Sequence, residues 1–353
     1  MSTTTVDLKQ LLAGAQLPAL PQSAIRLLEL SQDPDNGPPE FALPIEADPG
    51  LTGQVLRFVN SSYFGFAREI SRVRLAITLV GVRTIKNFAL WSAVFSLMPN
   101  PKCGPFDLKN LWQDSLRRGL FARALGKALG MKDAEDLFAA ALLQDMAVPL
   151  LAKELPDDYA KLLQARASGE NRLSDLEHEQ FGWTHADAAA QMARNWSLPE
   201  EFAALIEAHA NLDEAAQNAA TTPGPFAVAV SSLLPVAADG AWHDRQRFLE
   251  VCATAGVTNQ LEEILTTVDE QFKEFGPVLK VSTSGKPLVE YLAELKGLPS
   301  PTFAPPEEPS RRARPREDGE GQLLRRPHSW GGVLRWCRAA REVSLRLRRF
   351  ECR

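Results

Sequence analysis

Apolar residues recur at intervals of three and four along almost all of the first 280 residues. For example, Leu51, Val55, Leu56 and Val59 would share one face of a helix. This spacing is typical of amphipathic helices that bury one side. No alternating run of β-branched residues has the length of a convincing strand, and only Val278–Ser284 has any strand character. The pattern therefore predicts an all-α protein.

Prolines, glycines and changes of composition divide the chain into segments. A short N-terminal segment, residues 1–14, precedes a predicted helical lobe at 15–99, which ends at the stretch Pro99–Pro105. A second helical lobe is predicted at 105–280, with a polar loop at 208–224. The helices expected in this second lobe cover residues 111–129, 134–153 (interrupted near Pro149), 157–167, 173–181, 185–196, 199–208, 226–237, 244–255 and 259–275.

The C-terminal part, residues 298–353, has a different composition. Residues 301–353 contain 13 arginines, no lysine and seven acids, a charge of +6, whereas 26 bases and 37 acids give the first 300 residues −11. The start of this part is rich in proline, arginine and acids, which predicts a disordered linker. Residues 330–350 then have the spacing of one basic amphipathic helix. Three interpretations stay open: a solvated tail, a helix that binds an acidic partner or an anionic membrane, and a tail without selected function.

Several classes of protein are excluded by composition and motifs. The acidic body lacks the broad basic face that nucleic-acid binding requires. The four cysteines show no CxxC spacing, so zinc-ribbon and disulfide-framework proteins are excluded. No phosphate-binding glycine loop, GxSxG or HExxH motif is present. No apolar window reaches the roughly 20 residues of a membrane span, and no signal peptide is recognisable. A cytoplasmic protein is expected.

Three dispersed polar residues could form a site on such a scaffold. Asp145 lies at the end of a strongly apolar helix segment, His185 begins a later helix, and His209 ends the next one. One carboxylate and two imidazoles suit Mn, Fe or Zn, and a bound metal could activate water for attack on a phosphoester. The alternative is that each side chain only caps a helix or forms a hydrogen bond in the core. Spacing alone leaves both alternatives open.

Four motifs in order resemble the HDOD (HD-related output domain) family of bacterial signalling proteins. The resemblance covers about residues 15–275, with Val80 as a departure from the usual leucine. It implies a two-lobed helical HDOD/HD-like domain, followed here by the disordered basic tail. The motifs are the Leu-Pro-x-Leu-Pro start at Leu17–Pro21, the turn at Asp48–Leu51, the corner at Asn60–Gly65 and the helix pair at Ile70–Gly81.

The second lobe resembles a degenerate HD phosphohydrolase. Catalytic members of that group use a histidine on an early helix, an adjacent His-Asp pair and a later aspartate. In this chain Asp114 stands at the first position and Gln144 precedes Asp145, so both histidines are missing. The region 226–234 offers no acid for the last position. Glutamine is a weak ligand and cannot act as a base.

These departures imply a non-catalytic protein with no expected cofactor. Asp114, Asp145, His185 and His209 then remain as vestigial candidate ligands, and a weak divalent metal site stays open. The resemblance implies a regulatory module in two-component or cyclic-dinucleotide circuits, with signalling proteins or a small ligand as partners. The alternative function is that of a metal-dependent phosphohydrolase acting on a nucleotide or a cyclic dinucleotide.

Overall fold

A computed structural model describes residues 6–15, 17–239, 241–283 and 285–296. Every regular element in these ranges is helical, which confirms the predicted all-α class, and no strand forms at 278–283. The predicted disordered tail at 298–353, including its amphipathic helix, lies outside the described residues. The first six helices are α1 Leu8–Gly14, α2 Gln22–Leu30, α3 Pro38–Glu46, α4 Pro49–Val59, α5 Val73–Val80 and α6 Val82–Leu97.

The remaining helices follow the predicted boundaries closely in most places. Two short 3₁₀ turns, Ala208–Ala210 and Thr258–Gln260, lie among them. The helices are α7 Leu108–Ala128, α8 Ala134–Leu143, α9 Val148–Glu154, α10 Pro156–Arg166, α11 Leu173–Phe181, α12 His185–Asn195, α13 Glu200–Glu207, α14 Leu212–Gln217, α15 Pro223–Ser231, α16 Arg245–Thr254, α17 Leu261–Leu279 and α18 Leu288–Lys296.

Two stretches differ from the sequence-based prediction. The polar loop expected at 208–224 contains α14, because Leu212 and Ala215 both turn into the core. Helix α15 starts and ends earlier than expected, at Pro223 and Ser231. The backbone N–H at the first position of a helix has no partner within the helix, so proline, which lacks this N–H, is tolerated there. This explains the earlier start at Pro223.

Helices α7 and α8 approach each other closely at Gly119. A Cβ atom at this position would lie 2.9 Å from the carbonyl oxygen of Phe138 on α8. Only glycine allows the two backbones to come this near without displacement. The contact matters for the site below, since α7 carries Asp114 and Arg118 and the chain reaches Asp145 directly after α8.

Helix α17 contacts both the N-terminal and the later helices through aromatic rings. The Phe275 ring centroid lies 5.5 Å from that of Phe58 on α4, 4.6 Å from that of Tyr63 and 6.4 Å from that of Phe138 on α8. The buried Arg123 guanidinium lies 4.9 Å from the centre of the Phe138 ring. These rings join helices on both sides of residues 99–105, and the division into lobes at 15–99 and 105–280 stays a prediction.

The N-terminal segment is held against helix α12 at both ends of that helix. The Trp183 indole N–H donates to the carbonyl of Val6 (2.7 Å), and the Trp196 indole N–H donates to that of Pro18 (3.0 Å). Leu12 of α1 is buried. Residues 6–15, 17 and 18 therefore form a strap, a segment held against the helix that begins with His185.

Candidate metal centre

Three of the four candidate ligands meet in the interior. Asp145 Oδ1 lies 3.3 Å from His185 Nε2 and 3.6 Å from His209 Nε2, and the two Nε2 atoms are 2.9 Å apart. All three side chains are at most 6% exposed. We call this group the His-His-Asp cluster. Among the described residues it is the one group of His, Cys, Asp and Glu side chains whose ligand atoms lie close enough to share a metal ion.

Local helix chemistry places each member of the cluster. Asp145 lies in the turn between α8 and α9, where its carbonyl accepts from the N–H of Val148. His185 is the first residue of α12, whose start is fixed by a capping box between Thr184 and Asp187. His209 lies in the 3₁₀ turn after α13. The cluster therefore draws on three helix ends, which the sequence places far apart.

Hydrogen bonds at Nδ1 determine the form of both imidazoles. His185 Nδ1 lies 2.6 Å from Glu177 Oε2, and His209 Nδ1 lies 2.5 Å from the carbonyl oxygen of Ile206. Both partners only accept, so each Nδ1 must carry the proton. Burial is the main cause that holds the pKa of His209 well below its usual value, and the neighbouring His185 is the second. The His209 ring is therefore neutral. A neutral ring with a protonated Nδ1 has a lone pair at Nε2.

This arrangement fits a divalent cation. Two imidazole Nε2 atoms and a carboxylate oxygen face one another across 2.9 to 3.6 Å. Three acceptors at this distance repel unless a cation or a proton lies among them. Imidazole and carboxylate ligands suit Mn, Fe and Zn. Asp145, His185 and His209 are the residues that would hold the ion.

The fourth candidate, Asp114, does not belong to the cluster. Its Oδ1 accepts from the backbone N–H of Ala237 (2.8 Å). Arg118 is the charged group that has the largest effect on its pKa. Burial raises the pKa of Asp114 to about 6, against the opposing effect of Arg118 and the Ala237 hydrogen bond. The side chain still lines the same cavity as the cluster. Asp114 is therefore a neighbour that could bind or release a proton, rather than a fourth ligand.

Arg118 and Gln144 further limit the chemistry of the site. The Arg118 guanidinium forms an ion pair with Asp145 Oδ2, whereas Oδ1 is the oxygen near the two histidines. Gln144 is fully buried, and its Oε1 lies 3.3 Å from Ser231 Oγ. Gln144 does not line the cavity. Neither side chain supplies a further ligand.

Sequence reasoning missed the residues that support the cluster. The Glu177 carboxylate is fully buried and also accepts from the backbone N–H of His185 (2.7 Å) and from the hydroxyl of Tyr159. A signal was present, since Glu177 lies four residues after Leu173 and four before Phe181, on the apolar face of α11. An acidic residue on such a face needs a partner inside the protein.

A cavity of about 220 Å³ adjoins the cluster. One wall is apolar and includes Phe106, Leu111 and Val148. Other lining residues are charged: Arg166 contacts Asp239 at 2.5 Å, Arg118 pairs with Asp145, and Arg172 donates to the Ser232 hydroxyl at 2.6 Å. The charged side chains that line the cavity are Asp114, Arg118, Asp145, Arg166, Arg172, Asp239 and Asp244.

Comparison with known proteins identifies the family. The HDOD domain model matches residues 17–212, more than half of the chain. The chain belongs to the HDOD family. This result confirms the family that the four N-terminal motifs predicted, and the HDOD match also includes Asp145, His185 and His209.

Solved structures of bacterial proteins share the HD-like fold of this HDOD chain. An HDOD domain protein of unknown function from Geobacter sulfurreducens is 22% identical, covers 74% of this chain and 96% of its own, and superposes with a TM-score of 0.57. A candidate signal transduction protein from Marinobacter aquaeolei is 19% identical, covers 79% of this chain and 68% of its own, and has a TM-score of 0.60. A candidate phosphohydrolase from Shewanella amazonensis is 20% identical, covers 83% of this chain and 96% of its own, and has a TM-score of 0.53.

A curated relative of this HDOD chain is an uncharacterized protein of Treponema pallidum. The two are 26% identical over 200 residues, which is 56% of this chain and 38% of the relative. The chain therefore spans well under half the length of that relative. Within the described residues, no helix combines the length and the apolar character needed to cross a membrane.

Proposed function

We propose that this HDOD chain is a non-catalytic regulatory module of bacterial signal transduction that acts by binding a small ligand or another protein. The observation that carries the proposal is the environment of Asp114 and Gln144, the two positions where the resemblance to HD phosphohydrolases places histidine ligands. Asp114 accepts from the Ala237 backbone N–H, and Gln144 is fully buried with its Oε1 3.3 Å from Ser231 Oγ, outside the cavity lining. The cluster is left with three ligands.

The ion pair of Arg118 with Asp145 also favours a non-catalytic protein. A carboxylate that bridges two metal ions needs both of its oxygens, and Arg118 takes one of them. The guanidinium charge also weakens the attraction of a cation for this carboxylate. These contacts support a site for one weakly bound ion and argue against a two-metal hydrolase.

The cavity supports a small polar ligand. Its 220 Å³ is below the roughly 300–1,000 Å³ of sites that enclose drug-sized molecules, so a cyclic dinucleotide would not fit without rearrangement. The paired arginines and aspartates would meet the polar groups of a smaller ligand. Binding would shift the chain between arrangements by its different affinity for each.

A metal-dependent phosphohydrolase is the second candidate, and one observation favours it. Asp114 lines the cavity beside the cluster with a pKa of about 6, which suits a group that transfers protons near neutral pH. A divalent ion on Asp145, His185 and His209 would supply an activated water molecule. Arg118, lying between the two aspartates, would orient a negatively charged substrate.

A hydrolysis assay separates the two candidates. The full chain, loaded with Mn²⁺ or Zn²⁺, is incubated with a chromogenic phosphodiester and with a cyclic dinucleotide, beside the variant Asp145→Ala. We expect no turnover above the rate of that variant. Turnover that requires Asp145 would overturn the non-catalytic proposal and establish the phosphohydrolase.

The partner proposals extend to the C-terminal residues. Signalling proteins are the partners that the family membership supports for the helical body, since one structural relative is described as a candidate signal transduction protein. The charge of +6 in residues 301–353 supports contact of this part with an acidic partner or an anionic membrane. The body itself, with a charge of −11, is not proposed to bind nucleic acid.

A further inference from the structure

Glu177 is a fully buried carboxylate beside the His-His-Asp cluster. In the part of the chain that the structure describes, no Lys or Arg lies within 4 Å of it, and its ionisable basic partner is His185. Three donors converge on it: the Tyr159 hydroxyl, the His185 backbone N–H and His185 Nδ1–H. Two of these donors belong to His185 itself.

From this geometry we infer that Glu177 is a positioning residue for a divalent metal site at the cluster. It accepts from His185 Nδ1 and so orients the ring with Nε2 toward Asp145 and His209, and its carboxylate strengthens His185 as a ligand. The inference concerns metal affinity, so it rests on the candidate metal centre and not on whether the chain hydrolyses a substrate.

A structural role alone explains only part of the arrangement. Accepting the His185 backbone N–H at 2.7 Å satisfies a donor in the first turn of α12, and an uncharged side chain would do this as well. A charged carboxylate is costly to bury, and it becomes favourable when the imidazole that it contacts carries positive charge or binds a cation. A carboxylate behind a ligating histidine is the recurring support of metal sites, where it sets the tautomer and increases ligand strength.

The second histidine of the cluster, His209, has no carboxylate at its Nδ1. Its Nδ1 contacts the neutral carbonyl of Ile206 at 2.5 Å. The two histidines therefore differ in their supporting acceptor, one charged and one neutral. We expect His185 to be the stronger ligand, because Glu177 acts on His185 and not on His209.

A shared proton is the competing occupant. An imidazolium at His185 could donate to Glu177 through Nδ1 and to His209 or Asp145 through Nε2. Glu177 would stabilise this cation too. In that case the cluster would hold a proton at neutral pH and would not bind metal stoichiometrically.

The substitution Glu177→Gln isolates the charge. The Gln Oε1 can still accept from the His185 backbone and ring, and its amide can donate to the Tyr159 oxygen. The control Glu179→Gln makes the same change two residues along α11, at an exposed position. Asp145→Ala removes a ligand outright. All variants are made in the full chain and stripped of metal with a chelator.

Metal affinity is measured by Co²⁺ titration, followed by visible absorbance, and by competition with Zn²⁺. We expect one equivalent of metal in the wild type and the control, binding about 10–100-fold weaker in Glu177→Gln, and none in Asp145→Ala. The ¹⁵N shifts of the metal-free His185 ring should show one tautomer in the wild type and a mixture in Glu177→Gln. Similar melting temperatures of the metal-free proteins would exclude a folding defect.

Two results would overturn the inference. One is a wild-type chain that takes up no Co²⁺ or Zn²⁺, as the shared proton requires. The other is equal affinity and an unchanged His185 tautomer in Glu177→Gln. Neither result bears on the non-catalytic proposal, which is tested by hydrolysis of phosphodiesters, and turnover in that assay would leave the role of Glu177 standing.

Discussion

Buried ionisable side chains dominate the chemistry at the scale of single residues. Arg118 pairs with Asp145 and influences Asp114, and Glu177 contacts His185. Each of these groups is at most 9% exposed, so each depends on its partner for stabilisation. The environment of Asp114 disfavours its charge, because burial raises its pKa to about 6 in spite of Arg118.

The variant Asp114→Asn should reveal this cost through its pH dependence. The pKa of Asp114 is about 6 when folded and near 3.8 when unfolded. The folded state therefore holds the proton more tightly, and stability falls as pH rises from about 4 through 6. Asparagine keeps the acceptor for Ala237 without the charge. At pH 7.5 the variant should be more stable by on the order of 3 kcal/mol, with little difference near pH 4.

Urea unfolding at several pH values checks this prediction. The charged groups around Asp114 are Arg118, Arg117 and Asp239, and their effect is contained in the raised pKa of Asp114. Asp35→Asn, at an exposed carboxylate, serves as the control and should show no such trend. A difference in stability between wild type and Asp114→Asn that is the same at pH 4 and pH 7.5 would contradict the explanation by burial.

At the scale of elements, the contact of α7 with α8 brings the helix that carries Asp114 and Arg118 close to the turn that carries Asp145. Gly119→Ala should separate the two helices, since the new Cβ would lie 2.9 Å from the Phe138 carbonyl. We expect a loss of about 1–3 kcal/mol in the free energy of unfolding. The control Gly14→Ala meets no atom within 4 Å and should be neutral or slightly stabilising. Thermal and urea unfolding of both variants measure the difference.

The strap at residues 6–15, 17 and 18 leads to a prediction about helix α12. Trp183→Phe keeps an aromatic ring beside Phe181 and removes the hydrogen bond to Val6 together with part of the indole surface. The free energy of unfolding should fall by at least about 1 kcal/mol, the value for the loss of a single hydrogen bond. Hydrogen exchange should become faster at residues 6–15 and in the first turn of α12, where His185 lies. Exchange that rises elsewhere but not in these two segments would show that the strap does not hold the helix.

At the scale of the whole molecule, charge is divided between an acidic body and a basic C-terminal part. The full chain should bind vesicles that contain anionic lipid, and a chain ending at residue 300 should not, because the charge of +6 is removed. Binding should weaken steeply between 0.05 and 0.5 M salt as screening increases. Vesicle sedimentation gives the bound fraction. Equal binding by both chains would assign the contact to the body.

Much of the fold follows from helical periodicity, because long apolar stripes such as that of α4 leave few alternatives. The grouping of Asp145, His185 and His209 was also predicted, although the helix expected at 134–153 breaks at 144–147, around Asp145, and not near Pro149. Helix α14 was not, because only Leu212 and Ala215 mark its buried face.

The role of Glu177 escaped sequence analysis for a different reason. Its partners Tyr159 and His185 are reached only when α10, α11 and α12 pack together. Sequence spacing also could not show that Asp114 turns toward Ala237 and away from the cluster. The contacts of a buried polar side chain depend on its tertiary neighbours, and those neighbours come from distant segments.

The position of Phe275 late in the chain has a consequence for folding during synthesis on the ribosome. Its ring completes a cluster with Phe58 and Tyr63, which are translated more than 200 residues earlier. The apolar surface around Phe58 and Tyr63 therefore stays exposed until α17 has left the ribosomal exit tunnel. At roughly 5–20 residues per second this interval lasts on the order of ten seconds or more, long enough for chaperones to bind. A nascent chain stalled before residue 261 should therefore be a chaperone client, whereas one stalled well beyond α18 should not.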